Sequence, residues 1–163
     1  MKPILAMLAA LPLLSAAPAA QAQELRPVLG AAAAQTIVST CAALAAERGW
    51  NLSIAVLDSG ANLAAFLRMD KTGLASVEVA QWKAGAAATW GWPTKQMVER
   101  IATTPSFAHA PRVATFEGGV PVYSADGKVL LGGVGVSGAA SADDAACARA
   151  GIEKAGLSAT RAP

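Results

Sequence analysis

Residues 117–138, EGGVPVYSADGKVLLGGVGVSG, constrain this chain more than any other stretch. Two apolar runs flank Ser124-Ala125-Asp126-Gly127, and the Asp-Gly step supplies the turn chemistry of a β-hairpin. Val120, Val122, Val129, Leu131, Val134 and Val136 offer β-branched or aliphatic side chains for a buried pleated face. Gly118, Gly119, Gly132, Gly133, Gly135 and Gly138 are set among and around them. Glycine weakens a strand through backbone entropy and the missing side chain, so this spacing implies that another backbone or a ligand must come close.

The first residues read as a leader rather than as part of the fold. Lys2 precedes an almost wholly apolar run over 4–14, and Ala20-Gln21-Ala22 has the small-x-small pattern of a signal-peptidase site. Cleavage is expected after Ala22, giving an exported, periplasmic or secreted protein. The apolar run is proline-broken and shorter than the ~20 residues a bilayer span needs, so membrane insertion is not expected. Residues 23–163 then form one domain with a single core.

Without Lys2 the formal charge falls from +2 to +1. Lysines and arginines are scattered, with no basic face to meet nucleic acid. Cys41 and Cys147 are the only cysteines and both fall in alanine-rich segments that read as helices. The residues favour two small buried hydrophobes. If they pair, which export would permit, the bridge staples the first helix to the last. No Cys/His cluster with metal-ligand spacing is present.

Apolar residues at helical spacing over 30–48, ending at Gly49, predict a helix. Residues 52–57 and 63–69, separated by the turn-rich DSGAN, predict a hairpin. Helices follow over 76–90 and 94–101, and Pro105 and Pro111 mark 103–114 as an irregular loop. After the closing hairpin comes a last helix, capped by Ser141 or a neighbour, with Asp143 and Asp144 in its first turn. The expected order is therefore α-β-β-α-α-β-β-α. This is an α+β fold in which helices cover two antiparallel hairpins and the first and last helices are neighbours.

Gly133-Val134-Gly135-Val136-Ser137-Gly138 matches G-x-G-x-x-G, but the following parallel strand and acidic residue of a dinucleotide site are missing. Gly135-Val136-Ser137-Gly138-Ala139 falls one residue short of G-x-S-x-G, and the sole histidine lies upstream, which argues against a serine hydrolase. That histidine, His109, sits in a proline-flanked loop where it can be a metal ligand or simply solvated. Phe107 and Phe116 nearby suit a flat apolar ligand or a core equally. Arg68 can pair with Asp58 or Asp70, the reading favoured here, or hold a carboxylate in bidentate fashion. Lys83 falls on the small-residue stripe of its helix, and a partly buried lysine needs a partner or a ligand anion. Glu117 and the amides of Gly118 and Gly119 are candidates.

Taken together, Val56-Leu57-Asp58-x-Gly60, Arg68-Met69-Asp70, Ser76 with Ala80 and Lys83-Ala84, Gly118-Gly119-Val120-Pro121-Val122, and Gly135-Val136-Ser137-Gly138-Ala139 with Ala148-x-x-Gly151 resemble the GlcG/HbpS family. The agreement runs in order from about residue 31 to 156. It implies a profilin-like antiparallel sheet, kinship with the carboxy-terminal domain of PduO-type corrinoid adenosyltransferases, a tendency to form homo-oligomers, and haem binding with a role in haem capture, turnover or redox sensing. The threonine-like residue usual two places after Lys83-Ala84 is replaced here by Gly85-Ala86-Ala87-Ala88.

Two readings follow, and the first is favoured, so that a binding protein is expected rather than an enzyme. In the first, haem is the cofactor, Arg68 or Lys83 meets a propionate, the glycine-edged strands admit the macrocycle, and His109 or an oxygen group completes the iron. In the second, the protein binds or transforms a small carboxylate, with Arg68, Lys83 and the Gly118 and Gly119 amides as an anion pocket and Glu117 as a base. A membrane sensor or transporter is a partner compatible with either.

Overall fold

A computed structural model of the protein describes residues 26–163; the expected leader and its cleavage site lie outside the described residues. The elements are α1 (Ala31–Arg48), β1 (Ser53–Asp58), β2 (Leu63–Arg68), α2 (Ser76–Trp90), α3 (Thr94–Thr103), a 3-10 turn (Pro105–His109), β3 (Gly119–Tyr123), β4 (Leu130–Ser137) and α4 (Ser141–Lys154). This is the expected α-β-β-α-α-β-β-α order. The strands form one antiparallel sheet in the order β2-β1-β4-β3, so the two hairpins meet through β1 and β4. None of the described helices is long and apolar enough to cross a membrane.

Strand alternation separates the two faces. Ile54 and Val56 of β1, Val120 and Val122 of β3, and Val134 and Val136 of β4 join Ile37, Val38, Ala148 and Ile152 in the main core, which α1 and α4 cover. Val129, expected on that face, instead lies in the turn before β4 and is exposed. The last helix also begins differently from expectation. Ala140 precedes it without a side-chain cap, and Ser141 is its first helical residue.

On the opposite face Ala55 and Leu57 meet Ala80, Ala84 and Ala88 of α2. Here the glycines of β4 have their explanation. A Cβ on Gly133 would lie 2.5 Å from both the Ala84 carbonyl oxygen and the Ala88 nitrogen, and one on Gly135 would collide with the Ala80 carbonyl and the Ala84 nitrogen. The helix backbone thus rests directly on the strand backbone. The space that the glycine pattern reserves at Gly133 and Gly135 is filled by α2, which corrects the expectation that these two glycines let a macrocycle approach. Ala86 on the far side of α2 packs with Met97, Val113 and Ala114, with Trp90, Trp92 and Phe107 against them. Alanine is the residue that lets one helix be buried on both sides at such short range.

Cys41 and Cys147 are joined in a disulfide, with Cα atoms 4.9 Å apart. This overturns the reading of two unpaired hydrophobes. The approach that permits it is visible beside it, where a Cβ on Gly151 would stand 2.6 Å from the Ile37 carbonyl oxygen. Smallness at that helix crossing brings the two cysteines within bridging range.

The bridge spans 106 positions, so it restrains a large loop of the unfolded chain. Replacing both cysteines by alanine should lower the unfolding free energy by about 2–4 kcal/mol, measured by denaturant titration, with reduction of the native protein giving a similar loss. Gly133→Val tests the helix–strand contact separately. A loss of about 3 kcal/mol or outright failure to fold is expected, and a thermally unaltered variant would show that α2 can move away.

Candidate functional site

Lys83 projects from α2 into the interior and is only 2% exposed. Its ammonium donates to the Val136 carbonyl at 2.9 Å and to Asp144 Oδ2 at 3.0 Å. The second carboxylate oxygen of Asp144 accepts from the Ala139 amide at 3.0 Å. A buried charge is tolerated when it is both paired and hydrogen-bonded, and both conditions hold here. The expected partners were Glu117 and the amides of Gly118 and Gly119; the actual ones are Asp144 and a β4 carbonyl. Burial pushes the Asp144 carboxyl above its ordinary value, opposed by the Lys83 ammonium and the Ala139 amide.

Gly118 makes room for this pair. Its φ of +125° is one that side chains rarely adopt, and a Cβ there would lie 2.6 Å from Lys83 Nζ and 2.9 Å from Asp144 Cβ. Gly119 is held next to it through its amide, which donates to the buried Thr94 hydroxyl at 2.9 Å. The Gly119 amide is therefore engaged within the fold.

Above the pair opens a hollow of about 250 Å³, with Lys83 and Asp144 in its wall together with Ser137, Ser141, Val79 and Phe116. Phe116 is 52% exposed and meets the Trp82 ring edge-on, with centroids 5.9 Å apart. Two large aromatic side chains left to solvent beside a polar hollow offer apolar surface at this place. Ser137, part of the incomplete G-x-S-x-G run, supplies a hydroxyl to the wall.

The remaining sequence candidates lie around this hollow or away from it, and none is in its wall. Arg68 is exposed at the end of the edge strand β2 and makes no ion pair with Asp58 or Asp70, contrary to the favoured local pairing. It sits opposite Ser53, which sits opposite Ser137, so Arg68 and Ser137 occupy one row on the α2 face. Two strand spacings, roughly 10 Å, separate them. Asp58 instead orders its own turn, accepting from the Gly60 and Asn62 amides at 2.8 and 2.9 Å. Those contacts hold its carboxyl below the usual range, the Asn62 amide foremost. Glu117 is half-buried and directly precedes Gly118. His109 is exposed at the end of the 3-10 turn. Phe107 is part of the aromatic core with Trp90, centroids 5.3 Å apart, and so does not serve as an open ligand surface. Among the described residues no group of three His, Cys, Asp or Glu side chains is placed to hold a metal ion.

Asp144 was not a site candidate by sequence, yet its position carried a signal. Counting from Asp144, the buried residues Cys147, Ala148, Gly151 and Ile152 follow at i+3, i+4, i+7 and i+8. This places Asp144, but not Asp143, on the buried stripe of α4.

If the Lys83–Asp144 pair is structural, Lys83→Met strands a buried carboxylate and should cost about 3 kcal/mol or more in chemical denaturation. Adding Asp144→Asn, which keeps an acceptor for Ala139, should recover much of that loss. A single variant as stable as the parent would instead free Lys83 for a ligand.

The chain is similar to known proteins over most of its length. A family model described as "Haem degrading protein HbpS-like" matches residues 29–153. The GlcG protein of Escherichia coli (strain K12) is 37% identical over 111 residues, covering 68% of this chain and 81% of that protein. The crystal structure of a Streptomyces reticuli HbpS double mutant matches with a TM-score of 0.76 at 32% identity, over 89% of this chain and 97% of that one. A crystal structure of a PduOC:heme complex shares the fold, with a TM-score of 0.75 at 21% identity over 83% of this chain and 100% of that one.

Proposed function

Because this chain belongs to the HbpS-like family, whose description is haem degrading, we propose that it is an exported, oligomeric haem-binding protein serving haem capture, turnover or redox sensing. The observation that carries the reading is the exposed Phe116 in the wall of the Lys83 hollow, with the exposed Trp82 ring edge-on against it. A flat macrocycle needs apolar surface of that kind. At about 250 Å³ the hollow is below the ~300–1,000 Å³ of enclosed small-molecule sites, so haem fits across its mouth rather than within it. Export is supported by the Cys41–Cys147 disulfide, since such bridges persist in oxidising compartments.

The side chains that hold haem iron are His, Cys thiolate, Met and Tyr. Both cysteines are bridged, and the buried Tyr123 donates its hydroxyl to the Gly91 carbonyl at 2.8 Å. Met97 is buried and Met69 packs against the main core, so His109, the sole imidazole and exposed, is the residue that would ligate the iron. Bound haem would supply the redox-active iron, and Trp82 and Phe116 would exclude water from one side of the ring. Arg68, exposed and free of an ion pair, is the cation available to a propionate; Lys83 is not, because Asp144 neutralises it. The same pairing, with the engaged Gly119 amide, removes two donors from a small-carboxylate site at these residues.

Titration of haemin into the protein should give a saturable, shifted Soret band. Phe116→Ala should weaken binding about tenfold, the worth of one largely buried phenyl group, without altering thermal stability. His109→Ala should change the spectrum in both oxidation states; an unaltered spectrum retires the imidazole as ligand. Absence of any saturable shift in the parent protein would sink the haem reading.

A further inference from the structure

The chain beyond α4 folds back as a strap along β3. Tyr123 and Ser158 exchange backbone hydrogen bonds of 2.8 and 3.1 Å, and the Ala162 amide donates to the Gly127 carbonyl at 2.9 Å. Between these anchors the Ser158 hydroxyl bonds the Thr160 carbonyl at 2.7 Å, so Thr160 and Arg161 are presented from a fixed backbone. Facing the strap is the corner between α2 and α3. There Gly91 has a φ of +67°, and a Cβ on it would lie 2.6 Å from the Tyr123 hydroxyl oxygen. This close approach pins the corner to β3 and sets Trp90 and Trp92 on either side, with ring centroids 5.4 Å apart.

Strap and corner enclose a cleft of about 300 Å³, walled by Trp90, Trp92, Pro93 and Pro121 and edged by Thr160 and Arg161. It shares no residue with the hollow at Lys83. No aspartate or glutamate lines it, and Arg161 makes no ion pair among the described residues. The indole of Trp90 is fixed by a bond from its Nε1 to the Pro111 carbonyl at 3.0 Å, and Phe107 backs both tryptophans. Burial raises the Tyr123 phenol above its ordinary value, so it stays protonated and keeps its bond to Gly91 at neutral pH.

We propose that this cleft binds a small aromatic carboxylate, with Arg161 as the partner of its anionic end and the Trp90 and Trp92 indoles as the wall for its ring. An unpaired guanidinium offers a planar fork that a carboxylate accepts in bidentate fashion. Indoles next to it supply flat apolar surface and lower the local dielectric, which strengthens that pair. The volume stands at the lower end of the ~300–1,000 Å³ range for small-molecule sites and admits one or two rings, not a macrocycle. The proposal is thus independent of haem binding, and it sets an anion site at the C-terminal end of α2 rather than at Lys83, where the alternative reading of the sequence had it.

The test is calorimetry with benzoate and indole-3-carboxylate as probes and benzamide as the neutral control, with tryptophan fluorescence as a second readout. Saturable binding of at least one acid is expected, weakened ~10-fold or more both for benzamide and in Arg161→Gln, as loss of a charge-assisted bidentate pair requires. Arg161 is exposed, so the variant should melt as the parent does. No saturable binding of either acid at millimolar concentration, or equal binding by Arg161→Gln, overturns the proposal. Haemin titration of the same variant separates the two sites. An unchanged Soret response is expected, whereas joint loss of haemin and acid binding would make the cleft part of the haem site and overturn its independence.

Discussion

The contact between the alanine face of α2 and the glycines of β4 is the constraint on which the other features rest. Two backbones at this separation leave no room for a Cβ on Gly133 or Gly135, so the helix is set against the sheet without intervening side chains. The gain is close packing over the whole face; the cost is a strand with little intrinsic stability. That strand survives because β1 and β3 flank it and helices cover both of its faces. It is a central element by necessity.

The placement of Lys83 follows from that contact. Held against the sheet, the helix delivers a lysine to the end of β4, where the Val136 carbonyl and Asp144 receive it. Asp144 belongs to α4, on the far side of the sheet, so the ion pair ties the two helical layers together around the strand end. The disulfide ties α1 to α4 within one of those layers. Both proposed sites are therefore peripheral to this locked centre: the aromatic surface of Trp82 and Phe116, and the cleft under the C-terminal strap. A flat macrocycle and an acid of one or two rings make different demands on volume, which is why the two are proposed for different places.

Much of the fold was legible in the sequence because local patterns carried it. Gly49 ends α1 in the left-handed conformation, Asp58 and Asn62 close the first hairpin, and Gly127 turns the second. Site residues were less legible. Lys83 stood out because a lysine on an alanine stripe must be accommodated, and Asp144 was detectable by the same periodicity but was read as a helix-dipole residue. Trp90, Trp92 and Arg161 carried no local signal, since a corner and a tail 70 positions apart meet only in three dimensions.

The order and type of the elements, the antiparallel pairing of each hairpin and the requirement for close backbone approach at β4 were all readable along the chain. These depend on periodicity, turn chemistry and missing side chains, all of which are properties of neighbours along the chain. Packing in three dimensions settled that α2 fills the space at Gly133 and Gly135, that Cys41 reaches Cys147, that Asp144 neutralises Lys83 and that Arg161 edges a tryptophan-walled cleft. Each of those is a distance between residues far apart in sequence, and such distances are set by how whole layers pack.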